Sequence, residues 1–290
     1  EKVFSTNPEY RATDYYLMDG YNDSNYPDVT PERDGKRLIV QPNTFNMYCH
    51  REPRFYLTVV WNGQWFKWEN RNTNFLYGQP DGGPTHDAPQ NGYLNRSRVS
   101  LDYIPRDNNH PYRPAIIFRM AEAYLSYAEA LNESSERMSH KQEILDNLNK
   151  IRHRAGIAEY GTGTDENGFT RIKINFSDQK EVRRLIHKER RVEFVGEGVR
   201  YHDLRRWKTA HYGIGNLNEQ GENPDWGVNG PDYGMNYYGT EYTDQGDNAF
   251  FKRTKYMDRV YPRKFYWYPI HQSEIDKDPT LVQGPFWLGE

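Results

Sequence analysis

The sequence predicts a mainly α fold built on helical hairpins, interrupted by one β-hairpin and by long irregular loops. Three observations carry it. Between about residues 115 and 210, apolar residues recur at helical spacing. Residues 54–68 alternate instead, around an Asn-Gly pair. Residues 1–50, 69–112 and 212–250 follow neither period and are rich in Gly, Asn, Asp, Pro and Tyr.

Composition narrows the function. A chain of 290 residues can bury a sizeable core as one large domain or two modest ones. Its 38 Lys and Arg against 41 Asp and Glu leave a formal charge of -3, which argues against a non-specific nucleic-acid binder. The single cysteine, Cys49, rules out a disulfide within the chain and argues against a cysteine-based zinc site. Its apolar and aromatic neighbours predict a buried thiol. The 24 Tyr, 13 Phe and 7 Trp stand in a polar chain, with mean hydropathy -1.06. Flat amphipathic side chains on wet surfaces suit a binding protein. No apolar run is long enough to span a bilayer. No signal peptide is visible and the chain does not begin with Met, which suggests a processed form or a fragment.

Taken in order, residues 54–68 (RFYLTVVWNGQWFKW) read as a hairpin closed at Asn62-Gly63 by a type I′ turn. Pairing across it puts Phe55, Leu57, Val59, Trp61, Phe66 and Trp68 on a core face. Tyr56, Thr58, Val60, Trp65 and Lys67 fall on a wetter one. A helix starts near residue 115, with Ile117, Ala121, Tyr124, Ala128 and Leu131 as its stripe. Its alanines admit a second helix closely. That helix carries Ile144, Leu148, Ile151 and Ala155, with Ser139 and Gln142 as a capping box and Gly156 at C′. The pair is similar to a tetratricopeptide-like unit, without a clear 34-residue period. A Gly/Thr loop over 158–176 ends in RIKINF, a short strand candidate. Ser177 then caps a helix with Val182, Leu185, Ile186, Val192 and Val195. Gly196 and Gly198 break it, and residues 199–210 form another helix.

Residues 186–207 (IHKERRVEFVGEGVRYHDLRRW) resemble the signature of SusD/RagB-like outer-membrane lipoproteins. The matching positions are Ile186, Glu189, Arg190, Glu193, Phe194, Glu197, Gly198, Arg200, Asp203, Leu204, Arg206 and Trp207. Three further blocks agree in order: REPRFYLTVVWNG, then FRMAEAYLSYAEALNE with LNKIRHRAGI, and WYPIHQSEIDKDPTLVQ. The resemblance spans roughly residues 50–208 and 265–287. It implies one SusD-like domain over residues 1–290, corresponding to the C-terminal part of the family fold. The family's N-terminal helical part and lipid-anchored cysteine are absent from this chain. It further implies a non-enzymatic, surface-exposed protein of the cell outer membrane. Such a protein captures oligosaccharides, or peptides in some members, and partners a SusC-like TonB-dependent transporter. The stretch 266–287 is expected to pack on the body and help form the surface facing that partner.

The motif also has a physical reading. Glu189 and Glu193 lie on or near an apolar stripe, where a carboxylate needs paired cations. Arg200 and Arg206, from the helix beyond the glycines, are the expected partners, with Asp203 pairing in reverse. Gly196 and Gly198 supply the reversal. As a glycosidase acid/base pair, Glu189 and Glu193 are poorly placed: they sit at i and i+4 of one helix, roughly 6 Å apart at Cβ. No nucleophile elbow, P-loop or HExxH motif occurs, so no catalytic residue and no cofactor is assigned. His187, His202 and His211 read as surface residues. Asp19, Asp23 and Asp28 leave calcium possible without EF-hand spacing. Ligand contacts are expected from aromatics that bind the C–H face of a sugar while amides meet its hydroxyls. The candidates are Trp65 on the wet hairpin face, and Trp226, Tyr233, Asn236, Tyr237 and Tyr238 in the loop 212–250. Peptide capture, a glycoside hydrolase and a purely structural surface subunit are the alternatives.

Overall fold

Pro53 opens a helix where alternation predicts a strand. This is seen in a computed structural model that describes residues 44–49, 51–66, 69–97, 99, 107–108, 110–112, 114–213, 227–242 and 246–288. Helix α1 spans Pro53–Thr58. Proline suits a first helical position, because the N–H it lacks would find no partner there. The helix buries Arg54, Phe55 and Tyr56 and leaves Leu57 63% exposed, so the expected core and wet faces do not form. Strand β1 is confined to Val59–Trp61 and pairs antiparallel with β4, Tyr93–Asn95. Strand β2, Trp65–Phe66, pairs with β3, Arg71–Asn72. Asn62-Gly63 therefore joins two different two-stranded sheets and does not close a hairpin. The turn's polar groups go to a third segment. Asn62 Oδ1 accepts from Phe75 N at 2.7 Å, and the Thr73 hydroxyl donates to the Trp61 carbonyl at 2.7 Å. Gly63 N donates to Thr73 O at 2.9 Å. Lys67 and Trp68 lie outside the described residues.

Chain contacts divide the protein into two units. The first takes the described residues up to Glu197, together with Gly234–Thr254. One of its cores gathers Tyr48, Cys49, Phe55, Trp61, Phe75, Val192 and Phe250. Burial pushes the Cys49 thiol up to about 12, against a smaller opposing pull from Arg51.

Helix α2 (Met120–Glu133) packs against α3 (Lys141–Arg154) and α4 (Gln179–Glu193). It begins after Ile117, which stands 97% exposed ahead of it. Ala121, Leu125, Ala128 and Leu131 form the buried stripe, and the small side chains let the neighbouring helices approach. In α3, Ile144, Leu148 and Ile151 are buried. The capping box does not form: the Ser139 hydroxyl donates to Glu136 O and the Gln142 amide to Asp146. Gly156 takes the left-handed C′ conformation at φ 68°. RIKINF makes one isolated bridge, Ile172 with Tyr160, and a second, Thr164 with Thr170, lies just before it. The cap of α4 is Asp178, whose carboxylate accepts from the N–H groups of Lys180 and Glu181. A carboxylate there is favoured over the Ser177 hydroxyl by the positive end of the helix.

The second unit comprises Gly198–Tyr233 and the chain from Lys255. Helix α5 spans Val199–Arg206, four residues shorter than the sequence predicts. Residues 212–250 are not wholly irregular: β5 (Gly230–Gly234) pairs with β6 (Thr254–Arg259). Leu204, Ala210 and Tyr261 form the core, with Val228 and Tyr266 against it. After helix α6 (Gln272–Lys277), Gln283 accepts from Ile270 N and donates to Ile270 O, both at 2.8 Å. Among the described residues, no helix is long and apolar enough to cross a membrane.

Candidate functional site

The carboxylates of the signature motif form an ion lattice inside the first unit. Glu189, 2% exposed, accepts from Arg54 at 2.6 Å and from Arg152 at 2.9 Å. Glu193 takes Arg54 at 3.1 Å and also pairs with Arg119 and Arg154. Arg119 additionally grips Glu197 with two nitrogens, at 2.9 and 2.7 Å. Arg54 grips Glu52 in the same way, at 2.5 and 3.1 Å. The cations thus come from α1, from the residue before α2 and from α3, a correction to the expectation that Arg200 and Arg206 would supply them. In the second unit, Arg206 pairs with Asp203 of its own helix at 2.9 Å, and the Arg200 guanidinium lies 6.0 Å from the Trp207 ring centre. Burial pushes the Glu189 carboxyl up, but Arg54 and Arg152 outweigh it and hold it below the usual range. Glu193 behaves alike under Arg154 and Arg119. Both carboxylates are buried, ionised and engaged by guanidinium groups, which suits bracing and not proton transfer.

The three histidines have different surroundings. His187 is buried, a correction to its surface reading, with Nε2 3.6 Å from Glu129. His202 is exposed, and His211 is half-buried, with Nδ1 2.9 Å from the Tyr266 hydroxyl. Among the described residues, no group of three or more His, Cys, Asp or Glu is placed to hold a metal ion. Asp19, Asp23 and Asp28 lie outside the described residues.

The aromatic candidates separate into a cluster and scattered members. Tyr237 and Tyr238 meet edge to face, their ring centres 5.1 Å apart. Tyr77 joins them, 6.4 Å from Tyr237 and 5.7 Å from Tyr238. Tyr77 N donates to Gly239 O at 2.8 Å, which ties the two loops together. The Tyr237 hydroxyl donates to Thr85 O at 3.2 Å. A β-carbon at Gly83 would come within 2.6 Å of the Tyr237 ring, so glycine is what lets the ring lie against this backbone. Asn236 is buried beneath. Its amide nitrogen donates to Asp247 O and Ala249 O, and its oxygen accepts from Tyr238 N. It therefore holds the rings and is not open to ligand. Tyr238 is 69% exposed and Tyr77 and Tyr237 are half-buried, so the cluster presents aromatic surface to solvent.

Trp65 is half-buried in β2, opposite Asn72. Tyr233 is exposed on β5 in the second unit. Trp226 lies outside the described residues. Sequence reasoning missed Tyr77, although its surroundings, YGQPDGG, carry the same Tyr, Gly and Pro chemistry as the loop that was singled out.

Known proteins agree with this architecture. SusD-like protein P25 of Formosa agariphila is 32% identical over 109 residues, 38% of this chain and 18% of that protein. SusD-like protein P38 of the same organism is 32% identical over 103 residues, 36% of this chain and 19% of that one. A crystal structure of a SusD-like protein from Bacteroides fragilis aligns with 94% of this chain and 46% of its own, at 26% identity and TM-score 0.57. A SusD-like carbohydrate binding protein from the same species aligns with 93% of this chain and 48% of its own, at 22% identity and TM-score 0.53. The chain therefore spans less than half of the length of these solved relatives. The SusD family profile matches residues 6–287, and with the mainly helical fold and the four ordered sequence blocks this establishes that the chain belongs to the SusD family.

Proposed function

We propose that this chain binds oligosaccharides without catalysis, at the outer surface of the outer membrane, for uptake through a SusC-type TonB-dependent transporter. The observation that carries the reading is the Tyr77, Tyr237 and Tyr238 cluster, three phenol rings held by backbone contacts at a surface. A pyranose offers apolar C–H faces to such rings, and the phenol hydroxyls can meet its rim. Family membership supports the same reading, as does the related B. fragilis protein described as carbohydrate binding. The arginine-saturated carboxylates of α4 favour binding over hydrolysis. The residues from Tyr266 to Trp287 are proposed to contribute to the transporter-facing surface.

A glycan array followed by calorimetry tests it. Binding is expected to be weak, with each ring contributing on the order of 1 kcal/mol, about fivefold in affinity. Tyr238→Ala should lose about that factor, and Tyr77→Ala with Tyr238→Ala more. Unchanged dissociation constants in both would move the site elsewhere, with Trp65 next. Peptide binding without glycan binding would replace the reading with peptide capture, and release of reducing sugar would replace it with hydrolysis.

A further inference from the structure

The second unit carries a cavity of about 530 Å³ lined by His202, Arg205, Arg206, Lys208, Tyr266 and Trp267. Its size lies in the ordinary range for a small-ligand site. Three of the six lining residues are permanent cations, a fourth is an imidazole, and none is acidic. The nearby Asp203 is buried and already paired with Arg206. The other two walls are aromatic and fixed. The Tyr266 hydroxyl is bonded to His211 Nδ1 at 2.9 Å, and the Trp267 ring lies 5.7 Å from that of Phe286.

Basic residues in the last turn of a helix and just beyond it usually serve only to oppose the helix dipole. Two features go beyond that. Arg205 is aimed by its bond to Tyr266 O at 2.9 Å, and its guanidinium lies over Tyr268 at 5.2 Å. Lys208 occupies a left-handed backbone position, φ 56°, where a helix end normally places glycine. A β-carbon is disfavoured there. The Lys208 ammonium nonetheless takes part in no ion pair among the described residues. The cavity therefore holds more positive charge than its own acids neutralise, beside flat rings.

We propose that this cavity binds an anionic sugar, one bearing a carboxylate or a sulfate. The anion sits among Lys208, Arg206 and His202, and the ring lies against Tyr266 and Trp267. A guanidinium and an ammonium serve either anion through charge-assisted hydrogen bonds. The cavity's lining residues belong to the second unit and those of the tyrosine cluster to the first. The proposal rests on the glycan-binding reading only for the identity of the ring.

Calorimetry on the purified chain with three probes tests it: a galacturonic acid tetrasaccharide, its fully methyl-esterified form, and a sulfated galactose tetrasaccharide. At least one anionic probe is expected to bind about tenfold more tightly than the ester, the loss expected for one charge-assisted contact. Lys208→Gly removes the ammonium and gives the left-handed position its favoured residue. Its melting temperature should hold or rise while affinity for the anionic probe falls about tenfold and that for the ester stays. The same Lys208 dependence with the sulfated probe assigns sulfate; with the acid alone it assigns carboxylate. Equal affinity for anionic and esterified probes overturns the proposal, as does anion binding that ignores Lys208→Gly. Anion binding lost in Tyr238→Ala but kept in Lys208→Gly also overturns it, and leaves glycan binding at the tyrosine cluster intact.

Discussion

Replacing Glu189 with alanine should cost more stability than replacing Glu193, although Glu193 has more partners. The reason is what each removal strands. Arg152 is about as buried as Glu189, with side chains 9% and 3% exposed, and Glu189 is the carboxylate it pairs with. Its remaining acceptors are the Ala158 carbonyl and the Tyr160 hydroxyl. Glu189→Ala therefore strips a buried guanidinium of the carboxylate it bonds, with only the more distant charge of Glu52 left to it, which costs about 3–5 kcal/mol. When Glu193 goes, Arg54 keeps Glu52 and Glu189, Arg119 keeps Glu197, and Arg154 is already half in water. That loss should be about 1–3 kcal/mol, mostly of hydrogen bonds. Urea unfolding followed by tryptophan fluorescence, to which buried Trp61 contributes, measures both, provided the slope with denaturant stays constant. The double variant Glu189→Leu with Arg152→Met should be less destabilised than Glu189→Ala, because no lone charge remains. Equal costs for the two alanine variants would refute the reasoning. So would a Glu189→Ala protein that melts like the parent but no longer binds glycan.

The same lattice sets a pH dependence. Glu189 and Glu193 titrate below the ordinary glutamate value of 4.5 when folded, so their stabilisation is complete above that value and is lost as pH falls through the folded ones. Thermal melts should therefore drop on acidification, and Glu189→Gln should flatten the drop. Glu52 works in the opposite sense, since burial outweighs Arg54 and raises its carboxyl; its contribution is present at low pH and declines as pH rises through its folded value. Cys49, buried with its thiol pushed up to about 12, should resist a thiol reagent at pH 8 until the protein is unfolded, and rapid labelling of the native chain would contradict its burial. Gly83→Ala should displace the Tyr237 ring and weaken glycan binding by about as much as removing one stacking ring, roughly fivefold. Retained affinity would show that Tyr237 is not part of the site.

The helical half was legible because its signals are local. Ala128 and Leu131 in one helix, and Ile144, Leu148 and Ile151 in the next, follow one another at steps of three or four residues. Gly156 likewise marks an end by its own backbone. The strand half misled for the converse reason. Asn62-Gly63 has the chemistry of a hairpin turn, yet its groups are claimed by Thr73 and Phe75, ten and 13 residues away. The lattice was half legible. A glutamate on an apolar stripe announces that it needs a cation but not which one, and Arg200 and Arg206 of the next helix are not the partners it takes. Arg54 lies 135 residues from Glu189, a separation that no local pattern encodes. Tyr237 and Tyr238 were singled out from loop composition. Tyr77 became visible only when the backbone bond to Gly239 brought its loop alongside.

Those long separations bear on how quickly the protein comes apart. Glu189 and Glu193 bind Arg54 across 135 and 139 residues, and Arg119 reaches Glu193 across 74. Closing such loops is entropically slow, so the lattice completes after the helices have already met. Contacts absent from the folding barrier act on the rate of unfolding. The arginines around α4 thus work as a latch on the finished protein. Loosening one shortens the lifetime of the native state and leaves the speed of its formation almost untouched.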